Sequence, residues 1–177
     1  MHIYNPPITD NNLYRLHLNE NLYGPSPKCI VTLSDMNIED LCKYDLKSDD
    51  LLTNMLADKN HVKSSNVLLQ NGAADMIQTI FHAYLNDRDK ILLPNPSWQF
   101  YTSVANQNNL ICDYFNLTEE ETAFSLDLES MTNNRVIGDY KLIIVASPNM
   151  PTGNSISEKD IEFIANYFKS SLVLIDQ

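Results

Sequence analysis

Short apolar runs alternate along this chain with longer segments in which apolar residues recur every three or four positions. The runs predict strands and the periodic segments predict amphipathic helices. The predicted strands cover residues 66–72, 90–94, 110–117, 140–148 and 171–176. Helices are predicted within 36–60, over 73–85 and 97–107, within 125–132, and after a capping box at 157–160. This alternation is typical of an α/β fold with a mainly parallel sheet and helices on both faces.

In such sheets, chemistry gathers in the loops that follow the carboxyl ends of the strands. Here those loops are residues 71–74, 94–98, 147–153 and 176–177. In the first of them, Gly72 separates a predicted strand from a helix start, where free backbone N–H groups suit an anion. A plain strand-to-helix turn explains the same residues. The pattern is neither a dinucleotide fingerprint nor a Walker loop, because no further glycine and no Gly-Lys-Ser/Thr sequence follows.

Two side chains in the other loops have the chemistry to contact a ligand. Trp98, the single tryptophan, either offers a flat face to an aromatic ligand or lines the core. Asp176 ends an apolar strand, where a carboxylate is costly to bury unless a cation pairs with it. A protonated ring nitrogen would serve, and capping of a following helix is the alternative. A phosphorylated, cationic aromatic ring would use all of these features.

Composition and charge remove several classes of function. The net charge is −11 and no basic stripe is present, which argues against nucleic acid and anionic membranes as partners. The N-terminus has neither the basic nor the apolar segment of a signal peptide, and no apolar run reaches the length of a membrane span. The three cysteines are widely spaced, and neither they nor the histidines show ligand spacing. We therefore expect a cytoplasmic protein with reduced thiols and no metal site.

Four segments occur in the order and spacing of a known family: "LNENLYGPSP", "NGAADMIQTIFHAYLNDRDKILLPNPSWQFY", "LIIVASPNMPTG" and "LVLIDQ". Together they resemble the fold-type I, class I/II pyridoxal-phosphate-dependent aminotransferases, and the branch they resemble most is histidinol-phosphate aminotransferase. The resemblance implies a three-layer α/β/α large domain, truncated before the C-terminal small domain. Residues 1–35 would form an N-terminal arm and substrate-side segment, and residues 36–177 the first part of the large domain. It also implies a homodimer.

The resemblance implies roles for individual residues. Asp176 would be catalytic, because it would pair with the ring nitrogen and keep it protonated. The remaining cofactor-binding residues would hold the phosphate, stack on the ring or line the turn beside it, with one reaching the partner subunit's phosphate: Gly72, Ala73, Ala74, Trp98, Asn149 and Tyr44. The substrate side would be lined by Asn21 and Tyr23.

The chain departs from the family pattern in three places. Met150 stands where the family's Pro-Asn-Asn-Pro-Thr-Gly turn has a second asparagine that donates to the ring's phenolic oxygen, and a thioether cannot donate. Ala74 replaces a residue that is often polar. The Schiff-base lysine of the family follows the position of Asp176, beyond residue 177, so we expect this chain alone to be inactive.

The expected function is transamination, in amino-acid biosynthesis, between an amino acid or a histidinol-phosphate-like amino phosphate ester and a 2-oxo acid, with pyridoxal 5'-phosphate as cofactor. Two alternatives stay open. One is a catalytically inactive relative that binds or dimerises, and the other is a decarboxylase of the threonine-phosphate type.

Overall fold

The computed structural model describes residues 18–43, 48–133 and 138–177, which fall into two compact units that divide between Leu69 and Gln70. The first unit contains helices α1 (Pro27–Ser34), α2 (Ile38–Cys42) and α3 (Ser48–Asn60), followed by a 3-10 turn (Ser64–Asn66). The second unit contains α4 (Ala73–Tyr84), β1 (Lys90–Asn95), α5 (Gln99–Gln107), β2 (Ile111–Glu119), β3 (Phe124–Leu126), α6 (Leu128–Thr132), β4 (Leu142–Ala146), α7 (Glu158–Tyr167) and β5 (Leu172–Asp176). The proposed division after residue 35 stays a prediction.

The five strands of the second unit form one sheet in the order β3-β2-β1-β4-β5. Strands β2, β1, β4 and β5 are parallel, and the short β3 pairs antiparallel with β2. The predicted α/β fold with a mainly parallel sheet is therefore confirmed. Its central strands are readable in the sequence because a strand buried on both faces is a continuous apolar run.

Helices cover both faces of this sheet. Alternate residues of β1 and β4 point to opposite sides, so Ile91 and Leu142 join one core cluster while Leu92 and Ile143 join the other. The first cluster includes residues from α4 and α5: Ile77, Phe81, Tyr101, Val104 and Ala105. The second cluster includes Met131 of α6, Ile164 of α7 and Phe168, which directly follows α7. The unit thus has the three layers predicted for it.

The sheet reverses its winding direction between β1 and β4. From β1 the chain crosses through α5 to β2 on one side, and from β4 it crosses through α7, on the opposite face, to β5. The β1–β2 ladder continues to Asn95, whereas the β1–β4 ladder pairs only Ile91 and Leu92 of β1. Pro94 has no N–H to donate to a neighbouring strand. The two central strands therefore separate at their carboxyl ends, where ligands bind in doubly wound sheets.

Two short elements differ from the sequence prediction. Helix α1 was not predicted, although Ser26 caps it and Pro27 starts it, which is a common helix beginning. The prediction of a strand over 66–72 is wrong, because a 3-10 turn occupies Ser64–Asn66 and no strand of the described sheet pairs with the residues after it. A strand needs a neighbour to satisfy its backbone groups.

The end of β2 also differs. The strand extends to Glu119 and turns back into β3, with Glu120 N donating to Ala123 O at 2.9 Å. The three successive glutamates (119–121) lie exposed at the end of β2 and in this hairpin.

Candidate functional site

The loops that follow β1, β4 and β5 are joined to one another by hydrogen bonds. Ser97 Oγ, after β1, donates to Asn149 Oδ1, after β4, at 2.7 Å. Ser147 N donates to the backbone oxygen of Asp176, at the end of β5, at 2.8 Å. These bonds make one connected surface at the carboxyl edge of the sheet. The sequence predicted that four loops would meet there, and the bonds join three of them.

Asn149 bridges the two central strands where they separate. Its side chain is 3% exposed. Besides accepting from Ser97, it donates through Nδ2 to Pro96 O at 2.9 Å and to Thr152 Oγ1 at 2.7 Å. Both N–H bonds and the oxygen of the amide are thus used inside the protein. In this arrangement Asn149 holds the two loops together and has no N–H left to donate to a ligand.

Asp176 is held at two points, its backbone oxygen and its carboxylate. Its backbone oxygen accepts from Ser147, and its Oδ2 accepts from the hydroxyl of Tyr101, which lies in the first turn of α5. Among the described residues, Tyr101 is the side chain that donates to this carboxylate. Burial, and then the hydrogen bond and negative charge of Asp176, raise the pKa of Tyr101 far above its ordinary value. The phenol therefore stays a donor at neutral pH.

Trp98 lies directly before α5 and is half-buried. One neighbour is Phe100, stacked at a centroid distance of 4.6 Å, and another is Tyr101, edge-on at 5.5 Å. The indole packs against the core cluster of α4 and α5. Trp98 thus packs partly on the core, and its stacking on an aromatic ligand stays a prediction.

The turn before α4 has the backbone geometry of an anion site. Gly72 has φ +86°, in the region that favours glycine, and no atom lies within 4 Å of the place where a Cβ would be. The first hydrogen bond of the helix runs from Met76 N to Gly72 O at 3.2 Å. The N–H groups of Ala73 and Ala74 precede this ladder and point from the helix N-terminus. These features fit a phosphate.

Helix α4 places this turn at the carboxyl edge of the sheet, where the strand loops also lie. A short connection, residues 85–89, reverses the chain between α4 and β1. Ile77 and Phe81 of α4 pack in the same cluster as Ile91 and Leu93 of β1. The helix N-terminus therefore points toward the carboxyl end of β1. Asp75 adds a negative charge there, and its Oδ2 accepts from Asn71 N at 3.2 Å.

The turn after β4 is held by its own polar residues. Thr152 Oγ1 donates to Asn154 Oδ1, and Asn149 N donates to Asn154 O at 2.9 Å. Gly153 closes the turn with φ +71° and donates to Asn149 O at 2.7 Å. Met150 is half-buried at its tip. These hydrogen bonds hold the turn closed with Met150 at its tip.

Three predicted site residues belong to the first unit or fall outside the described residues. Asn21 and Tyr23 belong to the first unit, where Asn21 Oδ1 accepts from Tyr23 N at 3.1 Å and the Tyr23 side chain is fully exposed. Tyr44 lies outside the described residues. In the described ranges, no cluster of histidine, cysteine and acidic side chains is arranged to hold a metal ion.

Two features of the site were not predicted, namely the role of Tyr101 and the bridging bonds of Asn149. Tyr101 was recognised only as part of a helix, although it lies one helical turn after Trp98, and this spacing places the two side chains on the same face. Asn149 was expected to face a ligand, and its bridging bonds depend on a loop more than fifty residues away. Long-range partners of this kind leave no local sequence pattern.

The doubly wound sheet defines an open-sheet α/β protein, a class in which ligands bind at the switch point of the sheet. The chain belongs to the class I and II aminotransferase family, whose model matches residues 12–177. It is 32% identical over 170 residues to a histidinol-phosphate aminotransferase of Methanocaldococcus jannaschii, covering 96% of this chain and 44% of that protein. With a Lactococcus lactis histidinol-phosphate aminotransferase it shares 29% identity, covering 97% and 46%. The chain thus spans less than half the length of these relatives.

Solved structures show the same fold. A histidinol-phosphate aminotransferase from Sinorhizobium meliloti, in complex with pyridoxal-5'-phosphate, superposes with a TM-score of 0.78 at 16% identity, over 90% of this chain and 42% of that one. An L-threonine-O-3-phosphate decarboxylase from Porphyromonas gingivalis gives 0.59 at 19%, over 73% and 36%. The described residues include no helix with the length and apolar character of a membrane span.

Proposed function

We propose that this chain supplies the cofactor cradle of a pyridoxal-phosphate-dependent aminotransferase. The reaction is the transfer of an amino group from an amino acid or a histidinol-phosphate-like amino phosphate ester to a 2-oxo acid. The observation that carries the proposal is the connected surface at the sheet's switch point, which presents Asp176 and Trp98 in a chain that belongs to the aminotransferase family.

The phosphate is assigned to the turn before α4. Gly72 supplies a backbone conformation that other residues adopt only with strain, and open space borders it. The N–H groups of residues 73 and 74 would donate to phosphate oxygens, aided by the helix dipole. Asp75 works against this attraction because its carboxylate is also at the helix N-terminus. We therefore assign the binding to backbone donors rather than to net charge.

The ring is assigned to the loops after β1 and β5. Trp98 would contact one face of the ring, and Asp176 would pair with its protonated nitrogen. When bound, pyridoxal phosphate supplies an electron sink for a substrate carbanion, and the paired carboxylate keeps that sink effective. The protein's part at this position is to hold a charged oxygen in place and to cover the ring.

The turn after β4 supplies less to the ring than in the family pattern. Met150 has no N–H, and the amide of Asn149 is committed to Ser97, Pro96 and Thr152. A hydrogen bond to a charged oxygen contributes about 1.5–3 kcal/mol. We therefore expect weaker cofactor binding than that of a chain with asparagine at position 150.

The remaining assignments follow the family resemblance. Tyr44 would reach the phosphate held by the partner subunit, and Asn21 and Tyr23 would line the substrate side. The Schiff-base lysine would come from sequence after residue 177. The location is proposed to be cytoplasmic.

A homodimer is proposed, and the first unit supports it. Its helices expose large apolar side chains: Ile30, Val31, Leu33, Ile38, Leu41, Leu51, Leu52 and Met55. Leu51 and Met55 are 67% and 60% exposed although they lie on the face that the sequence predicts to be buried. An apolar surface of this extent is typical of an interface, and we assign it to a second copy of the chain.

The reaction is tested with the longest polypeptide that the gene encodes, incubated with cofactor, histidinol phosphate and 2-oxoglutarate. Formation of glutamate, lost in an Asp176→Ala variant, supports transamination. Release of carbon dioxide from a phosphorylated amino acid would support the decarboxylase alternative instead. A protein that stays colourless at saturating cofactor would favour the non-catalytic alternative, which Met150 and Ala74 also favour.

A further inference from the structure

Tyr101 connects the two ring-facing positions of the site. Its ring contacts the indole of Trp98 edge-on at 5.5 Å, and its hydroxyl donates to Oδ2 of Asp176. The side chain is 2% exposed and packs in the core cluster under α4 and α5. A single buried side chain thus holds both a stacking surface and a carboxylate.

The hydrogen bond leaves one carboxylate oxygen for a ligand. Tyr101 takes Oδ2, and the backbone oxygen of Asp176 is fixed by Ser147 N at 2.8 Å. With the backbone and Oδ2 both restrained, the side chain has little freedom to rotate. No other side chain of the described residues donates to it, so Oδ1 is the oxygen that can meet a cation.

We propose that Tyr101 is a positioning residue for the cofactor. By donating to Oδ2 of Asp176, it orients the carboxylate so that Oδ1 faces the ring nitrogen. This inference rests on the proposed function and deepens it. In this role the Tyr101 hydroxyl keeps its proton and transfers it to no other group. Burial, and then the bond to Asp176, raise the pKa of Tyr101 so that it remains the donor.

The alternative is a purely structural role, in which Asp176 only accepts the hydrogen bond of the buried Tyr101 hydroxyl. The chain contains a matched case: the hydroxyl of Tyr140, itself 4% exposed, donates to Asp113 Oδ2 at 2.8 Å. Replacing Tyr101 or Tyr140 by phenylalanine removes the same oxygen from the same kind of bond. Only the first replacement releases Asp176, so Tyr140→Phe is the control.

The ligand for the test is pyridoxamine 5'-phosphate, because it has no aldehyde and cannot react with surface lysines. We expect Tyr101→Phe to raise its dissociation constant about tenfold, the effect of losing one charge-assisted bond, and Tyr140→Phe to leave it within about twofold. A second readout is the pH at which the bound ring nitrogen loses its proton, followed by ultraviolet absorbance. Tyr101→Phe is expected to lower that pH, and Tyr140→Phe is not.

A cofactor-free readout separates the inference from the proposed function. Tyrosine ¹³Cζ resonances report ionisation, and Asp176→Asn is expected to lower the pH at which Tyr101 ionises. Equal effects of the two phenylalanine variants on ligand binding would overturn the inference while leaving the function standing. No change of Tyr101 in Asp176→Asn would overturn it as well. A wild-type chain that binds no pyridoxamine phosphate overturns the proposed function and, with it, the role assigned to Tyr101.

Discussion

The bridge made by Asn149 has a measurable effect on stability. Asn149→Ala removes three side-chain hydrogen bonds, to Ser97 Oγ, Pro96 O and Thr152 Oγ1. Each hydrogen bond contributes about 1 kcal/mol net to the free energy of unfolding. The cost is larger where the remaining partner is buried and finds no water to bond to. Because the three partners are half-buried, water can replace some of the lost bonds. We expect a loss of about 2–4 kcal/mol in the free energy of unfolding.

Urea denaturation, followed by the fluorescence of Trp98, measures this loss. The control is Asn166→Ala, which removes one exposed bond within α7, from Asn166 Nδ2 to Glu162 O at 2.9 Å, and is expected to change stability by no more than about 0.5 kcal/mol. Asn149→Asp keeps the oxygen that accepts from Ser97, but it replaces Nδ2 with a second oxygen that faces the carbonyl of Pro96. This variant is therefore also expected to lower the free energy of unfolding. If Asn149→Ala costs less than about 1 kcal/mol, the two central loops are not held by this amide and the reasoning fails.

Three further predictions concern the ring, the interface and pH. Met150→Asn is expected to tighten pyridoxamine phosphate binding about tenfold or more, and Met150→Leu to leave it unchanged; equal affinities would show that position 150 does not meet the ring. Leu51→Glu is expected to shift the chain from dimer to monomer in sedimentation, whereas Asn54→Glu on the same helix is not. Because the folded-state pKa of Tyr101 is raised, its unfolded form ionises first above about pH 10. Wild-type stability is therefore expected to fall as pH rises past that value, and less steeply in Tyr101→Phe, by urea midpoints; equal slopes would contradict the coupling.

The sequence predicts those parts of the fold that depend on local pattern. The apolar runs of β1, β4 and β5 identify three of the parallel strands, and their ends identify candidate loops of the site. Gly72 and Gly153 mark two turns that need positive φ.

Parts that depend on distant partners are not readable in this way. The segment around Leu68 has strand-like composition, yet no described strand pairs with it and the side chain is 59% exposed. The short β3 exists only because β2 extends far enough to pair with it. The bonds of Tyr101 with Asp176 and of Asn149 with Ser97 join residues far apart in the chain, so composition and spacing do not reveal them.

The most direct test of the account is a titration of the chain with pyridoxamine 5'-phosphate, followed by Trp98 fluorescence. Since Trp98 is the single tryptophan, quenching reports binding at the proposed ring position, and a tryptophan-amide solution corrects for absorbance of the ligand. The account predicts saturable quenching that weakens at least about tenfold for pyridoxamine without its phosphate and for Asp176→Ala. Absence of quenching, or equal affinity for the two ligands, would contradict it.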